Sequence, residues 1–286
     1  MPTDDCDQRF GDWITVMSNN DKPSLEDLHR ILDDSFVVQH ISVPLDCCNS
    51  SDDAQQVKRQ MESVNFDLMG LKENGNITGY VRRLDLKDGS CLKYRRAFLN
   101  GEIVSNRTPL GRLLRMMVTR PQLFVLEHAE INGVVTRADL QKPPVRMVLF
   151  GLLSLHEMYM LLMVRVCYST EQLKKTSGLE DAQNLLAKRL YRNEDIDLAD
   201  CLTLTEKNKL LLNASGFSEF FGFASLKDAE LYFKNVVILR NKLAHGHDLV
   251  DGFGWDQMAK TIINLESFLS KCDEKYDEFQ LQFAKK

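Results

Sequence analysis

Apolar residues recur at helical spacing in "SLEDLHRIL", where Leu25, Leu28, Ile31 and Leu32 follow Ser24. This predicts a lead-in helix with Ser24 as its N-cap. From about residue 36 the spacing changes to short alternating runs, and the same order of elements occurs twice. In the first copy "VVQHISV" reads as a strand and "SSDDAQQVKRQMESV" as a helix. "DLMGLKE" and "ITGYVRRLD" read as a hairpin turned by "NGN", because Asn-Gly suits the tight turn between twisted strands. The second copy gives a helix, "TPLGRLLRMMV", with Pro109 at its start, and then a hairpin, "LFVLEHAE" with "INGVVTRADL".

Beyond "LQKPPVRM" the strand signals stop. Pro143 and Pro144 end one pattern and open another. Five helical stretches follow: the apolar run from Met147, "LEDAQNLLAKRLYR", "LTEKNKLLLNAS", "SLKDAELYFKNVVILRNKLAHG" and "WDQMAKTIINLESFLSKCDEKYDEF". The aromatic "GFSEFFGF" between the third and fourth is expected to pack against the bundle rather than stack on bases. The pattern therefore predicts a lead-in over 1–35, an α+β module over 36–145 and an all-α domain over 146–286.

The apolar run "MVLFGLLSLHEMYMLLMV" is 18 residues long, near the length of a membrane span. His156 and Glu157 stand in its middle, and a charge at mid-bilayer costs roughly 2.5–3.5 kcal/mol. A buried core helix is the expectation, with Met147, Met158, Met160 and Met163 as core filler and no membrane partner.

Net charge is −5, which gives no overall nucleic-acid signature. Residues 82–120 nevertheless carry eight Arg and two Lys against three acids, a basic stretch that is either a solvated face or an anion site. Seven cysteines without a CxxC pair, and no apolar leader in "MPTDDCDQRF", predict a reduced cytoplasmic chain without a structural metal.

Both hairpins end alike. "GYVRRLDL" (Gly79 to Leu86) and "GVVTRADL" (Gly133 to Leu140) each place an acid six residues after a glycine. A carboxylate just past a strand suits a ribose, and Thr136 with nearby N–H groups suits a phosphate. The two copies resemble a tandem pair of CBS domains, the Bateman module. That resemblance implies clefts for an adenosine nucleotide: AMP, ADP, ATP or an oligoadenylate. It assigns Thr136 and Asp139 to the better-matched cleft and Asp85 to the weaker one. Arg82 stands where the family has a small hydroxyl residue, so it binds phosphate directly or the first cleft stays empty. The bland alternative is a pair used only for dimerisation.

On a helical wheel, Leu226, Ala229, Val236, Val237, Leu243 and Ala244 lie within about 80° of Phe233. Arg240 falls inside that arc, and Asn241 and His245 fall on its flank. A buried arginine needs an acid, backbone carbonyls or an anionic ligand, and Glu157 is a candidate partner. His245 precedes Gly246, a plausible helix stop. "RNKLAH" resembles the signature of the HEPN superfamily: Arg-Asn, three residues, then His, late in a helix of an all-α domain. The resemblance implies a metal-independent endoribonuclease leaving 2′,3′-cyclic phosphate ends, with Arg240, Asn241 and His245 catalytic across a homodimer. His247 lies outside the motif.

The sequence therefore predicts an α+β N-terminal CBS pair followed by an all-α helical-bundle HEPN domain. Its expected activity is nucleotide-regulated RNA cleavage with no catalytic cofactor. Family analogy adds a toxin-like stress or antiphage (antiviral defence) role. The alternative is a non-catalytic regulator that binds adenosine nucleotides and a partner.

Overall fold

The computed structural model describes residues 24–284. They divide into two compact units: 29–151 with 238–264, and 24–28 with 152–237 and 265–284. The "RNKLAH" segment thus belongs to the same unit as the α/β repeat.

Helix α1 (Leu25–Ser35) opens as expected, with Ser24 Oγ accepting from the Glu26 N–H at 3.1 Å. The expected strand "VVQHISV" does not form along its length. Val38–His40 is a 3₁₀ turn, and strand β1 is confined to Val43–Pro44. The reason lies in distant partners: Val38 and Gln39 donate their N–H groups to the carbonyls of Thr108 and Asn106, each at 2.9 Å. Val38 and Ile41, three residues apart, are both fully buried, which a turn permits and an alternating strand does not.

The repeat is real. The first copy runs β2 (Cys47–Asn49), α2 (Ala54–Ser63), β3 (Leu68–Glu73) and β4 (Asn76–Arg82). The second runs β5 (Ile103–Ser105), α3 (Leu110–Met117), β6 (Gln122–Glu127) and β7 (Glu130–Thr136). In each copy the short first strand pairs parallel to the next, and the last two form an antiparallel hairpin. The hairpins share a register shift at matching positions, Leu71/Lys72 and Val125/Leu126. The first turns through Asn74 and Gly75 at φ 51° and 86°; the second manages the same with His128 and Ala129 at 49° and 68°.

Packing follows the helical spacing. Asp53 caps α2 by accepting from the Gln56 N–H at 2.9 Å, and Ala54, Val57 and Met61 then face Met69, Leu71 and Val81. A second cluster joins the copies: Leu45, Tyr80, Phe124 and Val134, with Phe98 packed on them. The flanking segments are exchanged. Strand β1, which precedes the first copy, pairs with β7 of the second, Val43 opposite Val134. Arg96, which precedes the second copy, exchanges both backbone hydrogen bonds with Tyr80 of β4 in the first. This explains the glycine that opens each motif. A Cβ on Gly79 would lie 2.5 Å from the Arg96 carbonyl oxygen, and one on Gly133 would lie 3.1 Å from Val125 Cβ and 3.3 Å from the Val43 oxygen.

The remaining α-helices of the described residues are α4 (Pro143–Cys167), α5 (Thr170–Lys175), α6 (Glu180–Leu190), α7 (Leu204–Asn213), α8 (Phe217–Phe220), α9 (Leu226–Ala244) and α10 (Trp255–Phe283). Helix α4 is long and apolar enough to cross a membrane by length and composition, and 56% of its most apolar stretch is buried inside the fold. Met160 and Met163 fill the core as expected, whereas Met147 is exposed. "GFSEFFGF" is packing: Phe217 and Phe221 are buried, with Phe279 edge-on to Phe217 at 6.1 Å. Close by, the Tyr159 hydroxyl donates to Asp273.

Candidate functional site

The unit that contains the repeat holds a cavity of about 520 Å³ whose lining includes Thr136, Arg137 and Asp139, with Asn65, Asp67 and Gln122. β7 delivers Thr136 to its rim, and the chain then tightens into a 3₁₀ helix, Arg137–Gln141. That turn is capped by Asp139, which accepts from Thr136 twice. Thr136 donates its N–H at 2.7 Å and its hydroxyl at 2.9 Å to Asp139 Oδ2. Asp139 Oδ1 pairs with Lys142 at 2.8 Å, and Lys142 also donates to the Ile41 carbonyl at 2.5 Å. A carboxylate offers about four acceptor positions. Three of Asp139's are filled, by the Thr136 N–H, the Thr136 hydroxyl and Lys142, which leaves one.

Arg137 was not singled out by sequence reasoning. It follows Thr136 directly, and its guanidinium carbon stands 4.7 Å from the centre of the Trp255 ring. Its Nη2 reaches the Val118 carbonyl at 3.4 Å, and its buried Nε has no hydrogen-bond partner among the described residues. The signal available in the sequence was a cation between Thr136 and Asp139; the tryptophan facing it could not be read from spacing.

Asp85 and Arg82 are not brought to this cavity. Asp85 Oδ2 accepts from Arg96 Nε at 2.7 Å, and this hydrogen bond holds the Asp85 carboxyl below the usual carboxylate range. The Arg82 guanidinium lies 5.9 Å over the Tyr80 ring. Other arginines of the basic stretch also meet acids: Arg83 pairs with Asp67 at 2.6 Å and Arg95 with Glu73 at 3.0 Å.

The second candidate group lies at the end of α9. Arg240, Asn241 and His245 are all exposed, and Arg240 Nη1 donates to Asn241 Oδ1 at 3.2 Å. The expected burial of Arg240 is therefore corrected. The wheel gave its direction, but the covered face of α9 runs through Ala229, Tyr232, Phe233, Val236 and Leu239 and ends there; Leu243 is only half-buried and Ala244 is exposed. Glu157 is half-buried and belongs to the other unit. The helix stop is as expected. Gly246 has φ 66°, its N–H reaches the Leu243 carbonyl at 3.3 Å, and the His247 N–H reaches Lys242 at 3.0 Å. This is the paired bond pattern of a glycine-ended helix. It leaves the His245 ring in solvent, with the His247 ring 5.7 Å away.

The segment between α9 and α10 is held from the 3₁₀ helix and the start of α4. Gln141 Nε2 donates to Asp248 Oδ1 at 2.9 Å, and Gln141 Oε1 accepts from the Leu249 N–H at 3.0 Å. Arg146 Nη2 donates to the His247 carbonyl at 2.6 Å.

No protein-family model matches the chain, and no curated protein matches it. Solved structures are similar to part of it. One is an uncharacterized conserved protein from Pyrococcus horikoshii: 21% identity, 37% of this chain and 90% of that one, TM-score 0.34. CBSX2 in complex with AMP matches at 12% identity over 40% of this chain and 98% of that one, TM-score 0.35. A CBS domain pair/ACT domain protein from Thermotoga maritima matches at 17% identity over 39% and 98%, TM-score 0.33.

Proposed function

We propose that this chain is a metal-independent endoribonuclease, active as a homodimer and regulated by an adenosine nucleotide. The observation that carries the reading is the joint exposure of Arg240, Asn241 and His245 on the last turns of α9, where a phosphodiester has access to all three. In the reaction, the RNA 2′-oxygen attacks phosphorus and the 5′-oxygen leaves. One His245 takes the 2′ proton and a second, from the other copy, supplies the proton to the 5′-oxygen. Arg240 carries the charge that grows on the phosphate, and Asn241, hydrogen-bonded to it, fixes its orientation. The products are a 2′,3′-cyclic phosphate and a 5′-hydroxyl.

The regulatory part rests on the cavity. Thr136, Arg137 and Asp139 supply hydroxyl, cation and carboxylate, which match the phosphate and ribose of a nucleotide. A second reading keeps the nucleotide and drops the catalysis: a regulator that binds a partner. It needs the cavity alone, whereas the first reading also needs the His245 side chains of two copies to meet at one phosphate.

The test is incubation of the purified protein with total RNA, with EDTA and with AMP, ADP or ATP in turn. The expected outcome is EDTA-resistant cleavage leaving 2′,3′-cyclic ends, lost in His245→Ala with the melting curve unchanged. Cleavage persisting in that variant overturns the site; no cleavage by the wild type under any condition favours the regulator.

A further inference from the structure

We propose that Arg137 is the residue through which the nucleotide cavity controls the "RNKLAH" helix end, by exchanging its contact with Trp255 for a contact with the ligand's phosphate. This deepens the function proposed above and rests on its regulatory part.

Arg137 has two faces. Toward the cavity it is the cation beside Thr136 and Asp139; on its other side it covers Trp255, the first residue of α10. It is poorly satisfied in this state. Its side-chain hydrogen bond to Val118 is long, at 3.4 Å, and among the described residues its buried Nε has no partner, nor has Trp255 Nε1. A guanidinium has five donors in a planar fork that fits two phosphate oxygens at once. An anionic group in the cavity therefore offers Arg137 more than the indole does.

The consequence travels because the segment 246–254 is pinned at both ends by the same short stretch of chain. Arg137 holds its far end through Trp255. Gln141 and Arg146 hold its near end through His247, Asp248 and Leu249. That segment directly follows His245, and Gly246, Gly252 and Gly254 in it have positive φ, at 66°, 61° and 77°. A ligand shifts such an equilibrium only through a contact made in one state and not in the other. Arg137 provides that contact: it grips phosphate in one state and Trp255 in the other.

Trp13 and Trp255 are the two tryptophans of the chain, so Trp13→Phe in the full-length protein leaves Trp255 as its sole indole fluorophore. AMP, ADP, ATP and inorganic phosphate are titrated against this protein, with calorimetry and Trp255 emission followed in parallel. The expected result is an emission shift whose midpoint matches the calorimetric one. Arg137→Ala is expected to weaken binding roughly ten- to hundredfold and to abolish the shift even at saturation. Arg137→Lys, which keeps the charge without the fork, is expected to bind but give a reduced shift. Gln141→Ala leaves the cation in place. It is expected to bind nucleotide as the parent does while losing at least about half of the nucleotide's effect on cleavage. Binding with static Trp255 emission, or an emission shift that survives in Arg137→Ala, overturns the coupling and leaves the nucleotide reading intact. Absence of binding by all four probes overturns that reading and the coupling with it.

Discussion

Arg96 Nε donates to Asp85 Oδ2 at 2.7 Å, so the acid that matches Asp139 in the other copy already faces a cation from its own chain. The Asp85 carboxyl is held low chiefly by this hydrogen bond. A carboxylate whose folded-state pKa is depressed stabilises the fold above its unfolded-state pKa and loses that contribution as pH falls through the folded value. Carboxyl NMR titration is expected to place Asp85 below the usual value of about 3.9, and Arg96→Ala is expected to raise it toward that value, with Arg82 still holding it down. A titration midpoint that does not respond to Arg96→Ala would contradict the pairing.

His156 predicts acid sensitivity from the opposite kind of group. Its imidazole is fully buried with ring centroids of Tyr232, Phe233 and Phe268 at 6.1, 6.0 and 5.6 Å, and neither nitrogen has a hydrogen-bond partner among the described residues. Burial pushes its pKa down to about 3. The unfolded chain therefore takes up the proton first. Stability is complete above about pH 6.5 and declines toward pH 3, by up to about 1.4 kcal/mol per pH unit. His156→Phe keeps a ring in the aromatic cluster and removes the titration. Urea unfolding between about pH 7.5 and pH 4.5 is expected to show wild type losing ~2–3 kcal/mol more than the variant. Parallel pH profiles would sink this account.

The two motif glycines predict unequal costs. Gly79→Ala drives a Cβ against backbone, 2.5 Å from the Arg96 oxygen, and the paired segment has to move. A loss of about 1–3 kcal/mol is expected. Gly133→Ala meets its neighbours at 3.1 and 3.3 Å and is expected to cost less. Denaturation midpoints of the two variants, compared at equal slope, decide the order.

Much of this was legible locally. Ser24 and Gly246 begin and end helices through side-chain or backbone chemistry that spans a few residues, and "NGN" turns its hairpin for the same reason. What escaped depends on distant chain. The Val38–His40 turn is set by carbonyls of Asn106 and Thr108. Strands β2 and β5 have three residues each, too few for an alternation to appear. Ala129 takes a positive φ in the two-residue turn that the pairing of Glu127 with Glu130 closes. For Arg240 the wheel gave an angle but no depth, since where a helix loses its cover is decided by what packs on it. The cavity residues Thr136 and Asp139 were legible from the repeat, whereas Arg137 acquires its meaning only from Trp255.

The exchange of β1 into the second copy's sheet bears on how the chain comes to be folded. Val43 leaves the ribosome well before Val134, its partner across the sheet. Until the last hairpin is synthesised, the nascent strand has no edge to join, and the Tyr80–Phe124 contact that seals the copies together has only one ring. Assembly of this half is therefore a late event, completed when the second copy arrives.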